Sequence, residues 1–137
     1  MFLTFLTFLP LIGAMLLMLI PRDEEGAIKQ TALAFAVADF ILSILLWTSF
    51  DSTTHEMQFE YSVPWISSWG VSYHIGLDGI SLLLYVMTTF LTMISIIASW
   101  GVTKNIREYM MAFLALSTGM LGVFISLDMF LFYFFWE

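Results

Sequence analysis

Cysteine is absent from the 137-residue chain. That removes disulfides, thiolate nucleophiles, iron–sulfur ligation and cysteine-bound metal. Histidine is scarce: His55 and His74 alone cannot assemble a metal or haem site. Charge is scarce too, at 11% of residues, against about 25% in an ordinary soluble domain. Only Arg22, Lys29, Lys104 and Arg107 are basic, and the formal net charge is −7. A nucleic-acid partner needs a basic stripe, so none is expected. What the chain has instead is apolar: 61% hydrophobic and 18% aromatic residues, with a mean hydropathy of +0.94. Too little polar surface remains to cover a soluble globule, and disorder needs the opposite composition. The lipid bilayer is the surrounding that fits.

Five apolar segments follow one another. Residues 2–20, 31–50, 79–100 and 110–127 approach the roughly 20 apolar residues of a spanning helix. A fifth, Met-Phe-Leu-Phe-Tyr-Phe-Phe-Trp-Glu, covers 129–137. The expected fold class is all-α: a polytopic transmembrane helix bundle with four full helices and the start of a fifth. A nine-residue helix rises only about 13 Å, against a hydrocarbon core about 30 Å thick. The chain therefore reads as the N-terminal part of one larger membrane domain. The first segment lacks a basic n-region and a small-residue cleavage site, so it reads as a retained helix, not a signal peptide. Pro10 and Gly13 are expected to bend it.

The connections carry the orientation. Arg22 and Lys29 lie between segments one and two, Lys104 and Arg107 between three and four. Residues 51–78 hold no lysine or arginine but carry Asp51, Glu56, Glu60 and Asp78. The positive-inside rule then puts the two basic connections on the cytoplasmic side and the N-terminus opposite. Residues 51–78 alternate in part (Met57, Phe59, Tyr61, Val63), which fits a short interfacial hairpin. Trp65, Trp69 and Tyr73 suit interfacial anchoring.

Glu137 is the main candidate for chemistry. It lies about 13 Å into the fifth segment, near the bilayer midplane, where a carboxylate is costly and is usually functional or paired. Asp39 is a second carboxylate inside a spanning segment, on one face with Ala32 and Ala36. It reads as a polar contact locking helix packing or as a second protonatable site. Ser81, Tyr85, Thr88, Thr92, Ser95 and Ser99 form one continuous hydroxyl face, read as interhelical hydrogen bonding or as the lining of a hydrated path. A small-residue face, Ala115, Gly119, Gly122 and Ser126, is placed to pack against it. His74 and Asp78, four apart, are expected to pair at the interface or to admit protons. Asp128 is expected to cap the fifth helix.

Two stretches resemble a known family: Ile75-Gly76-Leu77-Asp78-Gly79-Ile80-Ser81-Leu82-Leu83-Leu84 with Thr88-Thr89-Phe90-Leu91, and Ser126-Leu127-Asp128-Met129-Phe130-Leu131-Phe132-Tyr133-Phe134-Phe135-Trp136-Glu137. Both are similar to the antiporter-like membrane subunits of proton-translocating NADH:quinone oxidoreductase, respiratory complex I, and most of all to its chain M type (chain 4 in mitochondria). Residues 60–137 carry the likeness; residues 1–59 match only in layout. The resemblance implies a fold of about fourteen helices with two inverted repeats. It implies that Glu137 is the family's proton-translocating carboxylate, paired with a lysine on a later helix outside these residues. It implies an enzyme subunit without a redox centre, inactive alone. NADH, FMN, iron–sulfur clusters and quinone would sit in partner subunits, with other membrane subunits of the complex as neighbours. The implied location is a bacterial plasma membrane, or an organellar inner membrane. A multisubunit Na⁺/H⁺ antiporter or a membrane-bound hydrogenase uses similar chains, and a small accessory membrane protein is a further alternative.

Overall fold

In the computed structural model, which describes residues 1–137, the first apolar run forms α1 over Phe2–Leu17. It stops short of residue 20 because Pro21 disfavours helical backbone in the residue before it. The last turn tightens accordingly, with Met18, Leu19 and Ile20 each donating three residues back. At 16 residues α1 is about 24 Å long. The second helix, α2, covers Glu25–Thr48, six residues earlier than the apolar run. Glu25 and Lys29 are good helix formers that mark where lipid contact begins rather than where the helix does. Then come α3 (Gly79–Ala98), α4 (Ile106–Ile125) and the short α5 (Met129–Trp136).

Three helices, α2, α3 with its one-turn extension, and α4, are long and apolar enough to cross a membrane. The expectation of four full helices is corrected at α1, which falls below that length. The all-α class is corrected too. Gln58–Ile66 and Val71–Leu77 form strands β1 and β2 of an antiparallel hairpin. Its turn ends on Gly70, whose φ of 68° lies in the left-handed region that glycine adopts without steric cost. The aromatic and β-branched alternation across these strands favours a half-buried pleat.

The hairpin closes one end of the bundle. The Leu127 amide donates to the His74 carbonyl at 2.8 Å, and Ile75 pairs with Ser126 as an isolated bridge. Tyr73 donates to Thr4 Oγ1 at 3.2 Å, turning that ring into the bundle. Trp65 packs edge-on against Phe130 and Phe134 of α5. At the other end the two basic connections meet. Arg22 pairs with Glu108 at 2.7 Å, and Arg107 donates to the Ile20 carbonyl.

Helix α4 is the hub, packing on α1, α2, α3 and α5. Close approach needs small residues. A Cβ on Gly13 would sit 2.6 Å from the Phe35 ring, and one on Gly122 would sit 2.2 Å from the Phe135 ring. Gly13 thus makes room for α2. Gly122 and Gly119 face α5, so the small-residue side of α4 packs on α5 and not, as expected, on the hydroxyl face of α3.

The interior falls into two apolar clusters. One lies toward the hairpin and includes Leu3, Leu6, Leu46, Ile75, Leu77, Tyr85, Val86, Leu121 and Ile125. The other lies toward the basic connections and includes Ala14, Leu17, Ile28, Ala36, Ile96, Met110 and Leu114. Large hydrophobic residues also cover the outside, as Leu83, Met87, Phe90, Leu91, Ile94 and Ile97 do on α3. An apolar outward face is what a lipid setting requires.

Candidate functional site

Between the two clusters lies a polar layer. On α1, Thr7 falls after Leu6 and before Ala14. On α2, Asp39 and Ser43 fall between Ala36 and Leu46. On α3, Thr88, Thr89 and Thr92 fall between Val86 and Ile96. On α4, Ser117 and Thr118 fall between Leu114 and Leu121. All eight are buried, and the flanking residues belong to opposite clusters. Hydroxyls tie the helices together at this level. Thr7 and Tyr85 are 3.1 Å apart, Ser43 and Thr89 are 2.8 Å apart, and Thr92 donates to Ser117 at 3.3 Å. Near the basic end, Ser99 meets Tyr109 at 2.9 Å. Three members of the hydroxyl face, Tyr85, Thr92 and Ser99, therefore bond across helices, while Thr88 bonds the Leu84 carbonyl of its own helix. Such interhelical bonds are worth about 0.6–2 kcal/mol each.

Glu137 reaches the same depth. Helix α5 starts at the hairpin end and runs back along α4, so that the Phe135 carbonyl lies 3.4 Å from where a Cβ on Gly119 would be. Two residues further on, Glu137 lines an open groove of about 600 Å³ with Phe8, Leu11, Ala115, Thr118 and Gly119. Ala115 to Gly119 are the middle of α4. The groove is mostly apolar, and Glu137 is exposed toward it. Burial of Asp39 is nearly complete, at 2% exposure, and its Oδ1 meets no hydrogen-bond partner.

His74 and Asp78 are not a pair. His74 lies on β2, where side chains alternate, and its Nε2 is 2.6 Å from Glu60 Oε1 on β1. Asp78 instead caps α3, accepting from the Ser81 amide at 2.7 Å. That amide bond holds the Asp78 carboxyl below the usual carboxylate range. The cap on α5 is as expected, and it does more. Asp128 accepts from the Phe130 and Leu131 amides through one oxygen and from the Ser72 amide and hydroxyl through the other. The Ser72 and Leu131 amides lead in lowering its carboxyl below the ordinary range. One carboxylate thus fixes the start of α5 to the hairpin, and so sets the depth at which α5 delivers Glu137.

Sequence reading missed Thr7, Ser43, Thr89, Ser117 and Thr118. The usable signal was local: Ser43 lies one turn from Asp39 on the same face of α2. The partners on other helices follow only from the packing.

Fold and site together define a membrane-embedded helical bundle with carboxylates set at mid-depth, one in an interior polar layer and one beside it. No family model matches the chain. It is 42% identical to NADH-quinone oxidoreductase subunit M of Rhodobacter capsulatus, over 98% of this chain and 27% of the relative. It is 41% identical to NADH-ubiquinone oxidoreductase chain 4 of Mycosarcoma maydis, over 98% of this chain and 28% of the relative. A chain of respiratory complex I from Thermus thermophilus, solved with bound NADH, superposes with a TM-score of 0.75 at 25% identity, covering all of this chain and 26% of that one. The chain is thus a homologue of the subunit M and chain 4 family over nearly all its own length. It spans about a quarter of the length of these relatives.

Proposed function

We propose that this chain is part of a proton-translocating membrane subunit of an NADH:quinone oxidoreductase, and that Glu137 is the carboxylate that takes up and releases the proton. One observation carries the reading. Asp128 and the hairpin anchor α5 so that one carboxylate, Glu137, lies at the middle of the bundle, in a groove otherwise almost wholly apolar. A charge in such a place needs a partner of opposite sign or a proton. The residues here offer no basic group at that depth, so the counter-charge comes from a further helix seated on the groove, as the resemblance implies with its lysine. NADH, FMN, iron–sulfur clusters and quinone belong to partner subunits, which supply the electron-transfer energy through subunit contacts. The basic connections face the cytoplasm or its organellar equivalent, and the hairpin and N-terminus face the opposite side. The membrane is a bacterial plasma membrane or an organellar inner membrane.

The test is Glu137→Gln in the chromosomal gene, followed by NADH-driven acidification of inverted membrane vesicles. The expected result is an assembled complex that still contains the chain but forms no proton gradient. Normal pumping by the assembled variant would refute the role of Glu137. A native gel stained for NADH oxidation tests membership separately. A large band containing the chain but lacking that stain would support the antiporter or hydrogenase alternative.

A further inference from the structure

Asp39 is unusual for what surrounds it. It is buried inside this chain, so no partner subunit reaches it. Its helix packs on α1, α3 and α4. Across α1 and α3 there is no acidic or basic side chain, and the titratable group on α3 is Tyr85. On α4 the ionisable groups Arg107, Glu108 and Tyr109 lie in the first turns, at the basic end. On α2 itself the nearest is Lys29, ten residues and about 15 Å away, already beside Glu25. An ionised carboxylate here would be unpaired in an apolar interior, and buried groups in that position neutralise instead. Asp39 is also one turn from Ser43, whose hydroxyl meets Thr89. One turn along α3, Thr92 donates to Ser117. Its neighbour Thr118 has a buried hydroxyl without a partner and lines the same groove as Glu137.

We infer that Asp39 is a second proton-holding site, carrying its proton as the neutral acid and exchanging it with the Glu137 groove along the row Ser43, Thr89, Thr92, Ser117 and Thr118. The unpaired oxygen of Asp39 and the unpaired hydroxyl of Thr118 are the two ends of that row. The spacings within it that no direct hydrogen bond closes are bridged by water, which donates and accepts at each hop. No bond other than O–H is made or broken: Asp39 gives its proton to the row and takes another back from it, so the carboxyl ends neutral, while the groove end releases one proton and takes up one. The inference stands independently of the role proposed for Glu137.

The experiment is infrared difference spectroscopy of the protein in lipid nanodiscs at pH 7, reading the C=O stretch of a protonated carboxyl. Three results are expected. The band is present in the wild type and in Glu137→Gln. It is lost in Asp39→Asn and shifted in Asp39→Glu. After transfer to D₂O, its deuterium shift slows on the order of tenfold in Thr118→Val, the rate effect of one lost relay contact. If Asp39→Asn fails to fold, ¹³C-aspartate labelling of the wild type must move the same band. Absence of an aspartic-acid band overturns the site. A band whose exchange is unchanged in Thr118→Val overturns the route and leaves Asp39 as a buried packing group.

Discussion

Gly122→Ala is the sharpest test of how α5 is held. The new Cβ would lie 2.2, 2.3 and 2.6 Å from three atoms of the Phe135 ring. Ordinary carbon contact is about 3.5–4.0 Å, so the ring must retreat by about 1.3–1.8 Å. The Phe135 carbonyl lies 3.4 Å from the Cβ position of Gly119, so the α5 backbone has little room to shift closer to α4 as the ring moves. Overpacking of this kind costs about 1–3 kcal/mol. Against it stands the helical advantage of alanine over glycine, about 1 kcal/mol. The net loss is about 0–2 kcal/mol. Gly119→Ala is the internal control. Its Cβ meets only the Phe135 carbonyl oxygen, at 3.4 Å, so it should be neutral or gain up to about 1 kcal/mol. The assay is unfolding in mixed micelles with increasing SDS, followed by circular dichroism. Paired nitroxides at Leu116 and Tyr133, both exposed, report the α4–α5 distance, and the cysteine-free sequence allows them to be attached without background. In Gly122→Ala that distance should lengthen, and Phe135→Leu in the same background should restore it. Equal stability of the two alanine variants would falsify the packing argument.

Two further outcomes follow from the caps and the polar layer. Asp78→Ala should cost about 1 kcal/mol, the worth of an N-cap, whereas Asp78→Asn should keep the cap. Because the native Asp78 carboxyl titrates lower than in the unfolded chain, its contribution is full above the usual carboxylate range near pH 4. It is lost as pH falls through the native value, so urea or SDS midpoints measured between pH 6 and pH 3 should fall less steeply in Asp78→Asn than in the wild type, the remaining acid limb coming from Asp128. A double-mutant cycle on Ser43→Ala and Thr89→Val should give a coupling of about 0.6–1.7 kcal/mol, and a value near zero would mean that their 2.8 Å contact does not hold α2 to α3.

The helical segments were legible because apolar runs set where lipid contact begins and ends. They were less informative about the backbone. Glu25 and Lys29 are polar yet helical, so α2 starts in the charged connection. Pro21 acts on the residue before it, so α1 ends early. The pairing of His74 with Asp78 failed for a related reason. A spacing of four brings side chains together only on a helix, and residues 71–77 are a strand. On the hairpin His74 lies opposite Ser62 and reaches diagonally across the ladder to Glu60, fourteen residues away. The partial alternation of residues 57–63 already pointed to that strand. The fold class did not include it, because a small sheet outside the spanning segments adds nothing to an apolar-run count.

The depth of Glu137 along its helix was legible because helical rise is fixed at about 1.5 Å per residue and Asp128 marks the start of the helix. What Glu137 faces was not, since that depends on α5 folding back along α4. Packing of the glycine face of α4 on α5 decides it, and a run of small residues says that something comes close without saying what. The polar layer was hidden for the same physical reason. Each buried hydroxyl is cheap by itself, because threonine and serine within a helix bond the preceding turn, as Thr7, Thr88 and Thr89 do. Gathered at one level, they form the one place in the interior where a carboxyl finds polar neighbours instead of aliphatic ones. The two apolar clusters on either side hold the helices in register, so the layer is set by packing it does not itself supply. Changes in the clusters should therefore lower stability without selectively affecting Asp39, whereas changes within the layer should alter the proton exchange of Asp39 at small cost in stability.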